Sequence, residues 1–262
     1  DYEVVSPNTT VYLYTGGANI RLATEGYYNI TLDVINQYAV FELVKGVVEP
    51  VICYSFDEVA ALPDGTYVAA PGHVFGVYQR GFIFNIGGNY DNCILVYQGT
   101  QHDYYMPVMG NVVAMIAQKV TYNGLPEITN IQYFQILDSK EYDYGYNRYY
   151  DLHDPDVFRN CNIERYEYVK FAGMLEKSGN YYNVKVEGVD DRIGTIEFPN
   201  QDLTEYIGKK VAVEGWFIGY TGQYLKIVLR SISTIDGSGT AEDVVPGGDV
   251  VVTSRKTSKI IE

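Results

Sequence analysis

Catalysis would need histidines, nucleophiles or paired carboxylates at workable spacings, and this chain offers few. Its three histidines, His73, His102 and His153, stand far apart. His73 falls inside a β-rich run, where a hydrogen-bonded structural role is expected. No serine sits in Gly-x-Ser-x-Gly, the strained turn that presents a hydrolase nucleophile. No His-Glu-x-x-His is present to hold zinc on one helix face. Asp151, Asp154 and Asp156 offer oxygens of the kind calcium takes. They lack the glycine turn and distal bidentate glutamate of an EF-hand, so a solvated linker is the simpler reading. Carboxylates are plentiful, but sequence spacing alone does not bring two of them to the ~5–10 Å of a glycosidase pair. Cys53, Cys93 and Cys161 are odd in number and widely spaced, with no CxxC or zinc pattern. Free thiols are expected, with one disulfide left open. The expectation is a non-catalytic chain with no metal site and no cofactor.

What the chain does carry is rings. It holds 27 tyrosines among 262 residues. A tyrosine ring is apolar and its hydroxyl is wet, so it suits both half-buried strands and flat binding faces. Strand and rim packing accounts for most of them. Charge narrows the partners. The net charge is −14, from 33 acids and 19 bases, and the acidity is spread along the chain. A protein that tracks phosphates wants a basic stripe. Only the region 167–235 approaches neutrality, with Lys170, Lys177, Lys185, Lys209, Lys210 and Lys226. Nucleic acid is therefore disfavoured, and that region is the one place left open for it.

The elements that must position these rings come from a repeat. Gly110–Gly124 and Gly208–Gly222, 98 residues apart, both open on glycine, continue as a β-rich run and close on Tyr-x-Gly. A repeat of this kind marks two packing units. Around the first lie expected strands at Tyr67–Gln79, Gly81–Ile86, Cys93–Tyr97, Asn111–Val120 and Pro126–Leu137. Around the second lie Glu167–Lys177, Asn180–Glu187, Ile193–Phe198, Lys209–Ile218 and Gln223–Ile235. Gly72, Gly76, Gly173 and Gly215 interrupt these strands where a small barrel must bend. Ser55, with Glu58 three residues on, predicts a capped helical turn over 55–62. A second helical turn is expected at Leu203–Tyr206.

Five strands with a longer gap between the third and fourth is the layout of an OB-fold barrel. The expected organisation has five parts. Residues 1–49 form a small antiparallel β-unit of four strands, with a glycine hairpin at Gly16–Gly17 and Ile30, Leu32 and Val34 on one face. Residues 50–138 form a first barrel. Residues 139–166 are a tyrosine- and aspartate-rich connection, with tyrosines at 142, 144, 146, 149 and 150. Residues 167–236 form a second barrel. Residues 237–262 are a flexible tail with one strand at Val250–Thr253, a candidate to complete the first sheet. An OB barrel binds oligonucleotides or oligosaccharides on strands two and three and the flanking loops. That face predicts stacking residues Tyr78, Phe82, Phe84 and Tyr122 in the first barrel. In the second it predicts Tyr181 or Tyr182, which alternation places on opposite faces, with Tyr220 and Tyr224. Trp216 lies mid-strand and is expected in the core.

The run Leu62–Ile83, with Gly65–Thr66–Tyr67, Gly72–His73–Val74 and Gly81–Phe82, resembles OB-fold modules of secreted surface lipoproteins of gut-type Bacteroidales bacteria. Ile94–Leu95–Val96–Tyr97, Gly110–Asn111–Val112 and Tyr122–Asn123–Gly124–Leu125–Pro126–Glu127–Ile128 fill the later slots of that pattern. The segment Gly237–Asp243 is similar to the spacer that precedes a further module. The stretch Asn85–Tyr90 replaces the family's aspartate, so no ligand role carries over there. The resemblance implies an extracellular or outer-membrane location and a lipid anchor removed from this chain. No window reaches the ~18 apolar residues of a membrane span. Few lysines, with many Tyr, Asn, Gly and Thr, and an opening on Asp1–Tyr2–Glu3 fit a processed secreted protein. The expected function is a cell-surface binding or accessory protein that takes an oligosaccharide on exposed aromatics or contacts another surface protein. A structural spacer is the alternative, and single-stranded nucleic acid on the second barrel is a further one.

Overall fold

A computed structural model describes residues 2–13, 19–46, 49–99, 105, 107–140 and 144–235, without the side chains of 2, 3, 27 and 44–46. The Gly16–Gly17 turn, His102, Tyr142 and the strand expected at Val250–Thr253 lie outside the described residues. The chain divides into two compact units, at Glu49 and Pro50.

The first unit has five strands, one more than the glycine spacing suggests. β1 (Tyr2–Val5), β2 (Thr10–Tyr12), β3 (Asn19–Leu22), β4 (Gly26–Asp33) and β5 (Tyr38–Gly46) form two small sheets. The expected hairpin between β2 and β3 is not made. β3 pairs parallel with β1, while β2 and β4 flank β5 antiparallel. Val5, Val11, Ala39 and Phe41 form the small core, with Leu13, Ile20, Leu22 and Tyr28 against it. Ile30 and Leu32 share a face with Phe41 and Ala39 through the β4–β5 register. They remain 63% and 58% exposed on β4, which is an edge strand, although Tyr28 of the same strand packs against that core.

The second unit holds two closed five-stranded barrels. The first follows β6 (Val51–Ile52) and α1 (Phe56–Ala60), and consists of β7 (Tyr67–Tyr78), β8 (Gly81–Ile86), β9 (Cys93–Tyr97), β10 (Asn111–Tyr122) and β11 (Leu125–Ser139). Its order is β7-β8-β9-β11-β10, closed by β10 on β7. The second follows β12 (Tyr150–Asp151) and α2 (Pro155–Asn160), and consists of β13 (Tyr168–Ser178), β14 (Tyr181–Lys185), β15 (Ile193–Ile196), β16 (Lys210–Thr221) and β17 (Tyr224–Thr234). It closes the same way, with β16 on β13. The third and fifth strands of each barrel run parallel and the other barrel pairs run antiparallel. This is the OB arrangement expected from the strand spacing.

Each barrel is preceded by the same short strand and helix. β6 lies parallel on β7 and β12 lies parallel on β13. Cys53 N–H donates to Ala69 O at 3.0 Å, and Leu152 N–H donates to Lys170 O at 2.8 Å, which are matching positions. Ser55 caps α1 by accepting from Glu58 N–H, and the Glu58 carboxylate reaches back to Tyr54 N–H at 2.7 Å. Asp154 caps α2, accepting from Asp156 and Val157 N–H, with Pro155 at the first helical position, where its missing N–H costs nothing. Part of the region read as a connection is therefore the start of the second repeat. Asp154 is a helix cap. Asp151 meets His153 Nδ1 at 2.6 Å, and Asp156 meets Arg159 at 2.6 Å.

The bends fall at the expected glycines. A Cβ on Gly72 would stand 2.2 Å from Asn85 O, and one on Gly173 would stand 2.3 Å from Lys185 O. At the same point of each barrel, two strands approach too closely for any side chain. Register shifts sit beside Gly76 and Gly215. The turn at Thr204–Tyr206 is a single 3₁₀ turn anchored by fully buried Leu203. One hydrophobic core runs through both barrels. Trp216, 2% exposed, packs against Tyr168 and Tyr146, with its ring over Gly76 of the first barrel. Gln79 N–H donates to Phe198 O at 3.0 Å, and Tyr166 Oη donates to Pro126 O at 2.8 Å. Arg165 meets Asp57 and Arg148 meets Asp91 across the same seam.

Candidate ligand groove

Three neighbouring strands of the second barrel each send two side chains, two residues apart, to one face. They are Tyr181 and Asn183 on β14, Thr195 on β15 with Glu197 just beyond it, and Tyr224 and Lys226 on β17. Period-two alternation makes this a single surface. Register tightens it, because Asn183 opposes Thr195, Thr195 opposes Lys226, and Ile193 opposes Tyr224. With Ser178 at the end of β13 and Thr221 at the end of β16 they line a cavity of about 260 Å³. Thr195 Oγ1 donates to Asn183 Oδ1 at 3.0 Å, which leaves the amide nitrogen for another partner. Lys226 Nζ meets Glu197 Oε1 at 2.8 Å, so the charges in the floor cancel locally. Tyr181 is 45% exposed and Tyr224 is half-buried. The surface offers two rings, an amide, a hydroxyl and a neutralised ion pair.

The aromatic residues expected at the site separate into groups. Tyr181 and Tyr224 meet in this cavity. Tyr182 lies on the other side of β14, beside Lys177, as alternation requires. Tyr122 is 58% exposed and lines a second cavity at the seam between the barrels. Phe82 and Phe84 are fully buried and cannot stack on a ligand. They pack edge to face on each other, and Phe82 also meets Phe134, because β8 is covered on both faces. Tyr78 is 3% exposed, so its ring belongs to the core even though the residue borders the seam cavity. Tyr220 is half-buried and turned away from the groove. Its hydroxyl accepts from Ile163 N–H at 3.0 Å and its ring lies against Phe217 and Arg192.

Asn183, Thr195 and Glu197 were not picked out by a reading focused on rings, and Lys226 was picked out only as a candidate phosphate contact. Asn183 and Lys226 stand two residues on from Tyr181 and Tyr224, and Thr195 lies between them in the register of the neighbouring strand.

Four of the six lysines of the second barrel are paired. Lys170 meets Glu214 at 3.2 Å, Lys185 meets Glu176 at 2.7 Å, Lys210 meets Glu187 at 3.2 Å, and Lys226 meets Glu197. Cys53 and Cys93 are buried free thiols and Cys161 is a half-buried one. Burial pushes the Cys93 thiol up to about 12, which keeps it protonated and unreactive. No group of His, Cys, Asp and Glu among the described residues could hold a metal ion. No helix among them is long and apolar enough to cross a membrane.

No family model matches this chain, and no curated protein matches it. Among solved structures, it is similar to a multidomain protein with nucleic acid binding domains from Streptococcus pneumoniae. The identity is 11% and the TM-score 0.20, over 77% of this chain. The match spans 59% of that protein's length. At this TM-score neither the fold nor the ligands of that protein transfer to this chain.

Proposed function

We propose that this protein is a non-catalytic binding or accessory module that takes a neutral oligosaccharide on the open face of its second barrel. The observation that carries the proposal is the convergence of Tyr181, Tyr224, Asn183 and Thr195 on one cavity. Sugar faces stack on flat rings, and sugar hydroxyls exchange hydrogen bonds with amides and hydroxyls. The ion pair of Lys226 and Glu197 supplies further donors and acceptors without net charge. The pairing of the lysines argues against single-stranded nucleic acid, because a phosphate contact to Lys170, Lys185, Lys210 or Lys226 would first have to break an internal ion pair. An acidic molecule also repels polyanions. The resemblance to Bacteroidales surface lipoproteins and the composition support an extracellular or outer-membrane-surface location.

A glycan array probed with the whole chain tests the proposal, with Tyr224→Ala as the matched control. A signal on neutral glycans that the substitution abolishes is the expected result. Binding to single-stranded DNA that falls steeply with salt, with a blank array, would replace this reading with a nucleic-acid one. A spacer or protein-contact role has one observation in its favour. Ile30, Leu32, Val34 and Ile35 of the first unit are all exposed. Self-association in light scattering, together with a blank array, would favour that role.

A further inference from the structure

The cavity on the second barrel does not end there. Glu197 and Lys226 line it and also line the cavity of about 190 Å³ at the seam. The first barrel supplies the opposite wall of the seam cavity, with Tyr97, Tyr122 and Glu127. The rims are tied where the corresponding loops of the two barrels meet, since Asn123 Nδ2 donates to Thr221 Oγ1 at 3.1 Å. We propose that the two cavities form one continuous groove. The seam cavity is a second subsite for the same oligosaccharide, with Tyr122 as its stacking platform and the Glu127 carboxylate as its hydrogen-bond acceptor. This rests on the glycan reading above.

Glu127 is the side chain that calls for a ligand. It is 8% exposed, and burial is the one influence that acts on its carboxyl, with no hydrogen bond or opposite charge among the described residues to offset it. The charged groups around it are engaged elsewhere. Lys226 is held by Glu197, and the Arg80 guanidinium lies 3.4 Å from the centre of the Phe198 ring. A desolvated carboxyl without a partner is costly, and such groups concentrate at functional clefts. Each cavity alone is smaller than the ~300–1,000 Å³ usual for a ligand pocket, so a chain of sugars running through both is the better fit.

Burial alone raises the Glu127 carboxyl to about 7. The groups facing it are the Tyr78 and Tyr166 phenols, kept neutral by burial, with Arg80, Tyr97, Tyr122 and the Glu197–Lys226 pair. Above that pH the carboxylate accepts charge-assisted bonds from sugar hydroxyls, which are stronger than neutral ones. Affinity for a ligand that fills the seam should therefore rise with pH through this range.

The experiment is isothermal titration of the whole chain with cello-, xylo- and manno-oligosaccharides, from disaccharide to hexasaccharide. Affinity is expected to climb with length in the series that binds. Tyr122→Ala should leave the disaccharide unchanged and weaken the hexasaccharide about tenfold, the scale of one lost stacking contact. Tyr122 is exposed, so the substitution does not threaten the fold. Glu127→Gln should remove the rise in hexasaccharide affinity between about pH 6 and pH 8, the window set by its ionisation. Length-independent affinity, or Tyr122→Ala binding the hexasaccharide as tightly as wild type while Tyr224→Ala does not, overturns the second subsite and leaves the glycan reading standing. Failure of every saccharide to bind overturns both.

Discussion

Gly76→Ala tests how rigidly the two barrels are joined. An added Cβ would stand 2.8 Å from Cζ3 and 2.9 Å from Cε3 of Trp216. The backbone at Gly76 is outside the left-handed region, so the substitution probes space and nothing else. The indole cannot move aside freely. Tyr168 lies with its ring centre 5.0 Å away and Tyr146 at 5.8 Å, and Trp216 is 2% exposed. Overpacking a closed core costs about 1–3 kcal/mol. With a urea m-value of about 2–3 kcal/mol per molar, the midpoint should fall by roughly 0.3–1.5 M at unchanged slope. Trp216 is the only tryptophan in the chain, so its fluorescence follows the seam while far-ultraviolet circular dichroism follows the strands. The paired substitution Gly76→Ala with Trp216→Phe closes a double-mutant cycle read by dichroism. The smaller ring should recover most of the penalty. If the Gly76→Ala midpoint matches wild type, or the penalty is the same with phenylalanine at 216, the steric coupling across the seam is refuted.

Phe82→Ala should cost about 3–5 kcal/mol of stability, measured by urea unfolding, while leaving glycan affinity intact; a loss of affinity at unchanged stability would return Phe82 to the binding face. Glu127 and Glu167 are both raised by burial to about 7 from 4.5, so the folded state holds protons that the unfolded state has released. Stability should therefore fall as pH rises from about 4.5 to about 7 and then level off, and Glu127→Gln should flatten that slope in thermal melts across pH. Asp64 acts in the opposite sense, because its bonds from Lys119 and Thr121 hold it below the usual carboxylate range. That contribution should be lost as pH drops below about 4, where the unfolded aspartate takes up its proton. Although Glu127 and Glu197 share the seam cavity, oligosaccharides incubated with the protein should be recovered intact by chromatography; cleavage that disappears in Glu127→Gln would show an acid–base pair and end the non-catalytic reading.

Strand positions in the two barrels were legible because glycine turns and alternating runs are local signals. The β7–β8 hairpin at Gln79–Arg80 and the matched runs at β10 and β16 follow from chain neighbours alone. The closures of β10 on β7 and β16 on β13 follow from recognising the layout of the whole repeat. What was missed depends on distant partners. β6 and β12 are two residues each and exist as strands only because β7 and β13 lie beside them. α2 was hidden because Asp151, Asp154 and Asp156 read as a charged linker, although Asp154 followed by Pro155 is itself a helix-start signal. For the site, the rings were read correctly as to strand and less well as to side. β8 is buried on both faces, so alternation carried no information about Phe82 or Phe84. β14 has one open face, and there Tyr181 and Tyr182 diverged as expected.

The short strand and helix that precede each barrel change where the protein can be cut. A fragment begun at Glu167 would keep every barrel strand but lose Leu152 and Phe158, both completely enclosed in the intact chain. Phe158 fills the space beside Phe171, with ring centres 5.3 Å apart, so such a fragment would open a hole at the floor of its own barrel. An excision that begins ahead of Tyr149 retains the plug. It would still turn Trp216 out to water, and so would trade a complete interior for a new sticky surface.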